Sequence, residues 1–181
     1  YRYENGNTKA KGTYVHGSLD GKYSAWTIEG NKLYEKSFES GQLHGISISW
    51  YENGNKKEET NYSSGTMNGL ASTWAQNGHL EQQIHYKNDI LDGASIFWYA
   101  NGSKKNEINY RNGGLSGSFV HWYENGQKQK EGYNIDGEKF GIYTYWFENG
   151  QKQEERTYSY GMWDGPSSVW FENGQKMESG G

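Results

Sequence analysis

Runs in which aromatic or aliphatic residues alternate with polar ones recur along the chain, separated by glycine-containing turn signals. The runs are six to nine residues long and rich in aromatics, Thr and Ile. Such alternation is typical of β-strands, and Asn-Gly between two runs is typical of hairpins. A helix is disfavoured because Gly recurs too often and no apolar 3.6-residue period survives between glycines. The pattern therefore predicts antiparallel hairpins.

The pattern recurs every 24 residues without an insertion or a deletion. A period this strict is typical of stacked copies of one supersecondary unit. Residues 1–181 are therefore predicted to form a single repeat array with an all-β fold. We expect an elongated antiparallel meander of about seven stacked 24-residue β-hairpin repeats, in an open sheet that twists or curls. The tryptophans that mark the period are predicted to form its structural spine: Trp26, Trp50, Trp74, Trp98, Trp122, Trp146 and Trp170.

The loop after each tryptophan decides which side chains share a face. A two-residue Asn-Gly turn places Trp and the recurrent Tyr on opposite faces. A three-residue Glu-Asn-Gly loop, with Gly in the left-handed region, shifts the register by one and collects the apolar residues on one face. We favour the second loop. It predicts that Trp50 shares a face with Ile46, Ile48 and Tyr62, and that Trp98 shares one with Ile96, Ile108 and Tyr110.

The same register leads to three further expectations. Lysines after the loop should lie beside the indole rings, in cation–π geometry: Lys56, Lys104, Lys128, Lys152 and Lys176. The repeated glutamates should form a ladder on the reverse face: Glu35, Glu59, Glu107, Glu131 and Glu155. The apolar residue in the middle of the second connection should be buried at a loop apex: Leu19, Leu43, Met67, Leu91, Leu115 and Trp163.

Two copies depart from the pattern. In one, Asp89 replaces the first Gly of the second turn, a mild change because Asp tolerates the left-handed region. In the other, Lys139-Phe140 shifts the apolar residue of the second turn by one position, and Tyr133 stands one place early, beside Gly132. We expect a local bulge in this copy.

The second aromatic of each repeat falls on the face opposite the tryptophans, where few aliphatic residues accompany it. Tyrosine enrichment on an exposed surface is typical of interfaces. A possible interaction face is predicted from Tyr51, Tyr99, Tyr123, Tyr143, Tyr145, Phe147 and Phe171. Simple cross-strand packing is the alternative explanation for these rings.

Composition narrows the possible functions. Apolar residues make up 32% and aromatics 17%, so burial must come mainly from Trp, Tyr and Phe. The net charge of −4 is spread without a basic run, which argues against nucleic-acid binding. No apolar stretch is long enough for a transmembrane segment. The histidines share no repeat position, and a row of glutamates on a sheet is usually solvated. We therefore expect no catalytic residue, no metal site and no cofactor.

The Trp-[Tyr/Phe]-Glu-Asn-Gly-x-Lys block and the Gly-x-Leu-x-Gly turn resemble the MORN repeat variant, from Tyr3 to Lys176. The best copies of the block start at Trp50, Trp122, Trp146 and Trp170. Bacterial proteins of this kind are often labelled YwqK-family antitoxins. The resemblance implies an extended array of β-hairpins, and an association with bacterial cell-surface or secreted proteins and with toxin neutralisation.

The leading hypothesis is a non-enzymatic binding module, exposed on or secreted from a bacterial cell. It would contact a protein partner or a host surface through one extended face. One alternative is a cytoplasmic antitoxin or immunity protein that neutralises one cognate toxin. Another is a polysaccharide-binding protein whose aromatic rings stack on sugar. Uniform surfaces would favour a multivalent adhesin, whereas non-uniform surfaces in the central repeats would favour a single toxin.

Overall fold

The computed structural model describes residues 1–177, and every regular element within them is a β-strand. The strands follow one another in chain order as an antiparallel meander. They are β1 (Ala10–Val15), β2 (Ser18–Trp26), β3 (Lys32–Glu39), β4 (Gln42–Trp50), β5 (Lys56–Ser63), β6 (Thr66–Trp74), β7 (Leu80–Lys87), β8 (Ile90–Trp98), β9 (Lys104–Arg111), β10 (Gly114–Trp122), β11 (Lys128–Ile135), β12 (Glu138–Trp146), β13 (Lys152–Ser159) and β14 (Met162–Val169). The all-β meander of hairpin repeats is confirmed.

The chain comprises two units, one from Tyr1 to Ile90 and one that begins at Leu91. Each is built from consecutive hairpins, and the 24-residue step of the sequence runs through both.

The loop after each tryptophan is the predicted three-residue loop. In the copy after β4, the Gly54 amide donates to the Tyr51 carbonyl over 2.9 Å, and the Tyr51 amide donates to the Asn55 carbonyl over 2.8 Å. Gly54 has a φ of 85°, the left-handed conformation that Gly adopts without a steric penalty. The Glu-Asn-Gly loop is therefore confirmed in this copy.

A further bulge follows that loop, and it overturns the predicted faces. Ser49 pairs with Glu58 but Trp50 pairs with Lys56, so Lys57 is an extra residue in β5. One extra residue moves all later side chains of that strand to the other face. Trp50 therefore shares its face with Ile46 and Ile48, as predicted. The prediction was wrong for Tyr62, which pairs with Gly45 and lies on the opposite face.

The same correction applies to the pair β8 and β9. Ser95 pairs with Ile108 and Gly93 pairs with Tyr110. Ile108 and Tyr110 therefore lie on the face of the sheet that does not carry Trp98. Ile96 lies on the same face as Trp98, as predicted.

The other connection is a two-residue turn. Ser63 pairs with Thr66, and the residues between them, Ser64 and Gly65, have φ values of 47° and 86°. Two successive positive φ values define a type I′ turn, whose twist matches that of the flanking strands.

The prediction of a buried apolar residue at a loop apex was wrong, because this residue lies in a strand. Leu43 lies in β4 and pairs with Phe38. Two of the residues predicted to be buried there are exposed: Leu115 at 38% and Trp163 at 62%.

Burial is concentrated at small residues in the middle of the strands. Thr60, Ser72, Ser95 and Thr144 are all buried, and Ser95 is only 1% exposed. The seven tryptophans are half-buried. The tryptophan rings therefore remain partly accessible, which leaves aromatic surface for recognition.

Candidate binding surfaces

The hairpins present two chemically different faces. The tryptophan face carries the seven indoles, with Ile48 and Glu59 beside Trp50. The tyrosine face carries the recurrent tyrosines, such as Tyr62 and Tyr158, because Gly45 and Gly141 pair with them on the far side of the sheet from the indoles.

On the tryptophan face, lysine ammonium groups lie over indole rings. The Lys32 ammonium lies 5.9 Å from the Trp26 ring and 5.3 Å from the Trp50 ring. Corresponding contacts place Lys56 over Trp74, Lys104 over Trp122, Lys128 over Trp146, Lys152 over Trp170 and Lys176 over Trp170. The predicted cation–π contacts are confirmed. Each of these lysines except Lys176 reaches the indole of the following repeat.

The repeated glutamates lie on this tryptophan face, so their predicted position on the reverse face was wrong. The bulge after the loop is the cause, since it pairs Glu59 with Ile48. Each glutamate accepts a hydrogen bond from the lysine three residues earlier: Lys32–Glu35, Lys56–Glu59, Lys104–Glu107, Lys128–Glu131 and Lys152–Glu155. In one copy Leu80 and Gln83 replace both members of the pair. Lysine and glutamate therefore act as a structural unit.

Glu35 differs from the other glutamates because two lysines hold it. Hydrogen bonds of 2.7 Å from Lys22 and Lys32 lower the pKa of its carboxyl to about 2. A carboxylate held in this way is ionised at neutral pH and is not a proton donor for catalysis.

Three tyrosines of the predicted interaction face connect neighbouring repeats. The hydroxyls of Tyr51, Tyr99 and Tyr123 donate to the carbonyls of Trp74, Trp122 and Trp146 over 2.8–2.9 Å. We call this contact the tyrosine latch. Because each hydrogen bond joins one repeat to the next, these hydroxyls stabilise the stack of repeats.

The other members of the predicted face divide into two groups. Phe147 and Phe171 occupy the latch position without a hydroxyl, and Phe171 is 51% exposed. Tyr143 is only 3% exposed, whereas Tyr145 is half-buried. Both tyrosines line a groove on the tyrosine face.

This groove lies within the second unit. It has a volume of about 430 Å³ and is lined by residues from β9 to β12, including Phe119, His121, Lys130, Asn134 and Lys139. The Phe119 ring lies 5.4 Å from the Tyr143 ring. The Lys130 ammonium lies 5.9 Å from the Phe119 ring and that of Lys139 lies 5.1 Å from the Tyr143 ring. The groove therefore combines aromatic walls with two cations.

Burial controls the protonation of two groove residues. Burial, followed by the charge of Lys130, lowers the pKa of His121 to about 4, so its imidazole is neutral at pH 7. Burial, with smaller contributions from Tyr145 and Tyr158, raises the pKa of Tyr143 to about 12. Tyr143 consequently keeps its proton, which it donates to Asn134 Oδ1 over 2.7 Å.

The irregular copy also changes the tryptophan face. Tyr133 pairs with Phe140 and Asn134 pairs with Lys139. In other copies the tyrosine occupies the Asn134 position, as Tyr62 paired with Met67 shows. The aromatic pair has thus moved to the opposite face, where Tyr133 is 46% and Phe140 37% exposed.

The expected bulge is present in this copy and explains the irregular spacing. The register shift falls between Glu131 and Tyr133. This is one residue earlier in the repeat than the shift between Thr60 and Tyr62.

Other exposed apolar side chains lie near this pair. The Phe140 ring lies 5.6 Å from the Tyr160 ring, edge to face, and Tyr160 is 60% exposed. Ile142, two residues from Phe140, is 57% exposed. We call Tyr133, Phe140, Ile142 and Tyr160 the exposed aromatic patch. Contiguous exposed apolar surface is typical of interaction sites.

Sequence reasoning missed Lys130, His121 and Asn134 as groove residues, and Phe140 as a surface residue. The available signal was the departure of residues 130–140 from the other copies. Lys130 stands where Glu58, Gln82 and Asn106 stand, and Lys139 stands where Met67, Leu91 and Leu115 stand.

Residues 1–177 contain no group of three or more His, Cys, Asp or Glu residues that could hold a metal ion. They also contain no helix that is long and apolar enough to cross a membrane.

The sequence profile described as MORN repeat variant matches residues 43–64, 67–88, 91–112 and 141–160. No curated protein matches the chain. MORN repeats are generally non-catalytic modules that bind proteins or membranes. The first three matches keep the 24-residue step, and the profile then passes over residues 113–140. Phe119, His121, Lys130 and Lys139 of the groove, and Tyr133 and Phe140 of the patch, all belong to this unmatched segment.

Proposed function

Because the MORN repeat variant profile matches four segments of the chain, we propose that the chain is a non-enzymatic binding module that contacts one protein partner through the exposed aromatic patch. The change of face at Tyr133 and Phe140 is the observation that carries this proposal. Asn61, His85 and Asn109 occupy the Tyr133 position in earlier copies, and Asn68, Asp92 and Ser116 occupy the Phe140 position. Polar side chains are thus replaced by rings where they are solvent-accessible.

Folding alone does not require this replacement. In copies such as Tyr62–Met67, the tyrosine and its apolar partner cover the tyrosine face. The irregular copy exposes its rings instead, which costs the burial that the other copies obtain. Exposed Tyr and Phe supply large contact area at low conformational entropy, and they form the energetic centres of many interfaces.

The patch favours one partner per chain over many identical weak contacts. A multivalent surface would repeat the same side chains every 24 residues, but Tyr133 and Phe140 have no aromatic counterparts in the three copies before them. This non-uniformity supports a stoichiometric complex, as formed by an immunity protein and its toxin.

The partner and the compartment belong to the same proposal. Resemblance to bacterial repeat proteins supports a toxin or a host protein as partner. A secreted or surface-exposed location goes with a host protein, and a cytoplasmic one goes with a toxin. Fractionation of the source cells, with the chain detected by antibody, separates these two locations.

The test is a double variant that restores the residues of other copies, Tyr133→Asn with Phe140→Asn. The purified chain is immobilised, and captured proteins are identified and then titrated individually by calorimetry. We expect the double variant to keep the fold and to lose about tenfold or more in affinity for the partner, as for interface hot spots.

Tyr14→Asn is the matched control, because Tyr14 is an aromatic residue that is 51% exposed in the first unit. It should bind the partner with unchanged affinity. The proposal fails if the double variant binds as tightly as the wild type, or if one chain binds several partner molecules through equivalent repeats.

A further inference from the structure

The groove on the tyrosine face is positively charged because two positions have changed together. Lys130 replaces acidic or amide residues of earlier copies, and Lys139 replaces aliphatic ones. Both side chains line the groove, and no carboxylate is among its lining residues. Neither lysine forms an ion pair among the described residues, although six other lysines pair with glutamates on the opposite face. The groove is therefore complementary to an anion.

Its walls suit a ring. The Phe119 ring lies 5.4 Å from the buried Tyr143 ring and 5.5 Å from the His121 ring, so half-buried Phe119 and His121 present aromatic surface to the groove. Tyr110 and Tyr145 line the same space. The groove volume of about 430 Å³ is within the range for small-ligand sites, roughly 300–1,000 Å³.

Neutral hydrogen-bonding groups complete the lining. The hydroxyl of Tyr143 fixes the Asn134 amide by donating to its Oδ1 atom, and an amide also carries two N–H donors. His121 offers a neutral imidazole, with one donor and one acceptor. Neutral donors and acceptors beside aromatic walls suit a polyhydroxylated ring better than a purely apolar one.

We propose that this groove binds an acidic sugar, with the sugar ring against Phe119 and its carboxylate between Lys130 and Lys139. The site is distinct from the exposed aromatic patch, which lies on the opposite face. It is confined to the copy whose lysines and rings replace the residues of the other repeats.

The probe is D-glucuronate, titrated at millimolar concentrations into isotope-labelled full-length chain and followed by NMR. D-glucose has the same ring without the carboxylate, and acetate and inorganic phosphate are anions without the ring. We expect glucuronate to shift the signals of Lys130, Lys139 and Asn134, and to bind at least about tenfold more tightly than glucose or either simple anion, as for the loss of a hydrogen bond to a charged group.

Variants that restore residues of other copies test the site without new packing. The pair Lys130→Gln with Lys139→Leu introduces the residues of Gln82 and Leu115, and Phe119→Ser introduces the residue of Ser95. Each is expected to weaken glucuronate binding by about tenfold or more. The NMR spectrum of each variant should still be that of a folded chain.

Tyr133→Asn with Phe140→Asn is the control on the opposite face and should bind glucuronate normally. If this patch variant loses protein binding, the groove proposal is unaffected. If the groove variants lose glucuronate binding, the proposal for the patch is likewise unaffected. The proposal is overturned if glucuronate produces no shifts, if the lysine pair can be replaced without effect, or if acetate or phosphate binds equally well.

Discussion

The same part of the repeat forms two different surfaces in the two units. In the first unit, Ser47, Ser49 and Glu58 line a depression of about 190 Å³. The positions 72 residues later are Phe119, His121 and Lys130, and they line the groove of about 430 Å³. Small and acidic side chains have been exchanged for rings and a cation on a backbone with the same 24-residue step. The repeat therefore serves as a scaffold on which a single copy can be specialised.

The specialised copy contains a compensating change for its buried ring, that of Tyr143. Thr60 and Ala71 face each other in the first unit, and their counterparts are Gly132 and Tyr143. A Cβ atom at residue 132 would lie 2.9 Å from three atoms of the Tyr143 ring. Gly12 and Tyr23 show the same combination, with a distance of 2.6 Å. Glycine is thus required where a tyrosine lies flat against the neighbouring strand.

The largest effect is expected from reversing this exchange. Gly132→Thr should destabilise the chain by about 3 kcal/mol, because the ring has to leave its place. Tyr143→Ala should cost about as much through the loss of a buried ring. The double variant restores the Thr–Ala pair of the first unit and should cost no more than either single change, as measured by urea denaturation. Additive losses within about 0.5 kcal/mol would show that the two residues are independent.

A smaller effect on stability is expected at the tyrosine latch. Tyr123 makes the latch hydrogen bond, whereas Phe147 occupies the same position one repeat later and has no hydroxyl. Tyr123→Phe removes the 2.9 Å hydrogen bond to the Trp146 carbonyl and should cost about 1 kcal/mol. Phe147→Tyr should add a bond of the same kind and raise the melting temperature. Tyr160→Phe is the control, because Tyr160 is 60% exposed and its change should leave stability unaltered. Equal stability of wild type and Tyr123→Phe would contradict a structural role for the latch.

The smallest effect concerns Glu35, compared with the copy in which Leu80 and Gln83 replace the ion pair. The pKa of Glu35 is about 2 in the folded chain, below its ordinary value of 4.5. A lowered pKa contributes stability above pH 4.5 that is lost as the pH falls towards 2. Because Lys22 is 71% exposed, screening should limit this contribution to about 1 kcal/mol or less. Wild type should therefore lose slightly more stability over that range than Glu35→Gln, and parallel pH curves would exclude the effect.

Much of the fold could be predicted from local sequence signals. The Glu-Asn-Gly loop follows from its residues, since Gly54 supplies the positive φ that this turn needs. The lysine contacts with indoles also follow from spacing, as at Lys56 and Trp74. The positions of Glu59 and Tyr62 do not, because the bulge at Lys57 has no distinctive residue to announce it.

The candidate sites were only partly predictable for a related reason. Tyr143 and Tyr145 were predicted on the correct side of the sheet, but burial of Tyr143 depends on Gly132 across the strand pair. Tyr51 and Tyr123 were predicted as surface contacts, whereas their hydroxyls reach a carbonyl 23 residues away. The sequence showed that residues 132–140 were irregular without showing which side chains change face.

The sequence by itself determined the repeat, the strands and the turns, because these depend on the conformational preferences of nearby residues and on a fixed period. The tertiary structure decided which side chains meet on each face. A single extra residue in a strand reverses every side chain after it, and only the pairing between strands reveals where that residue is accommodated.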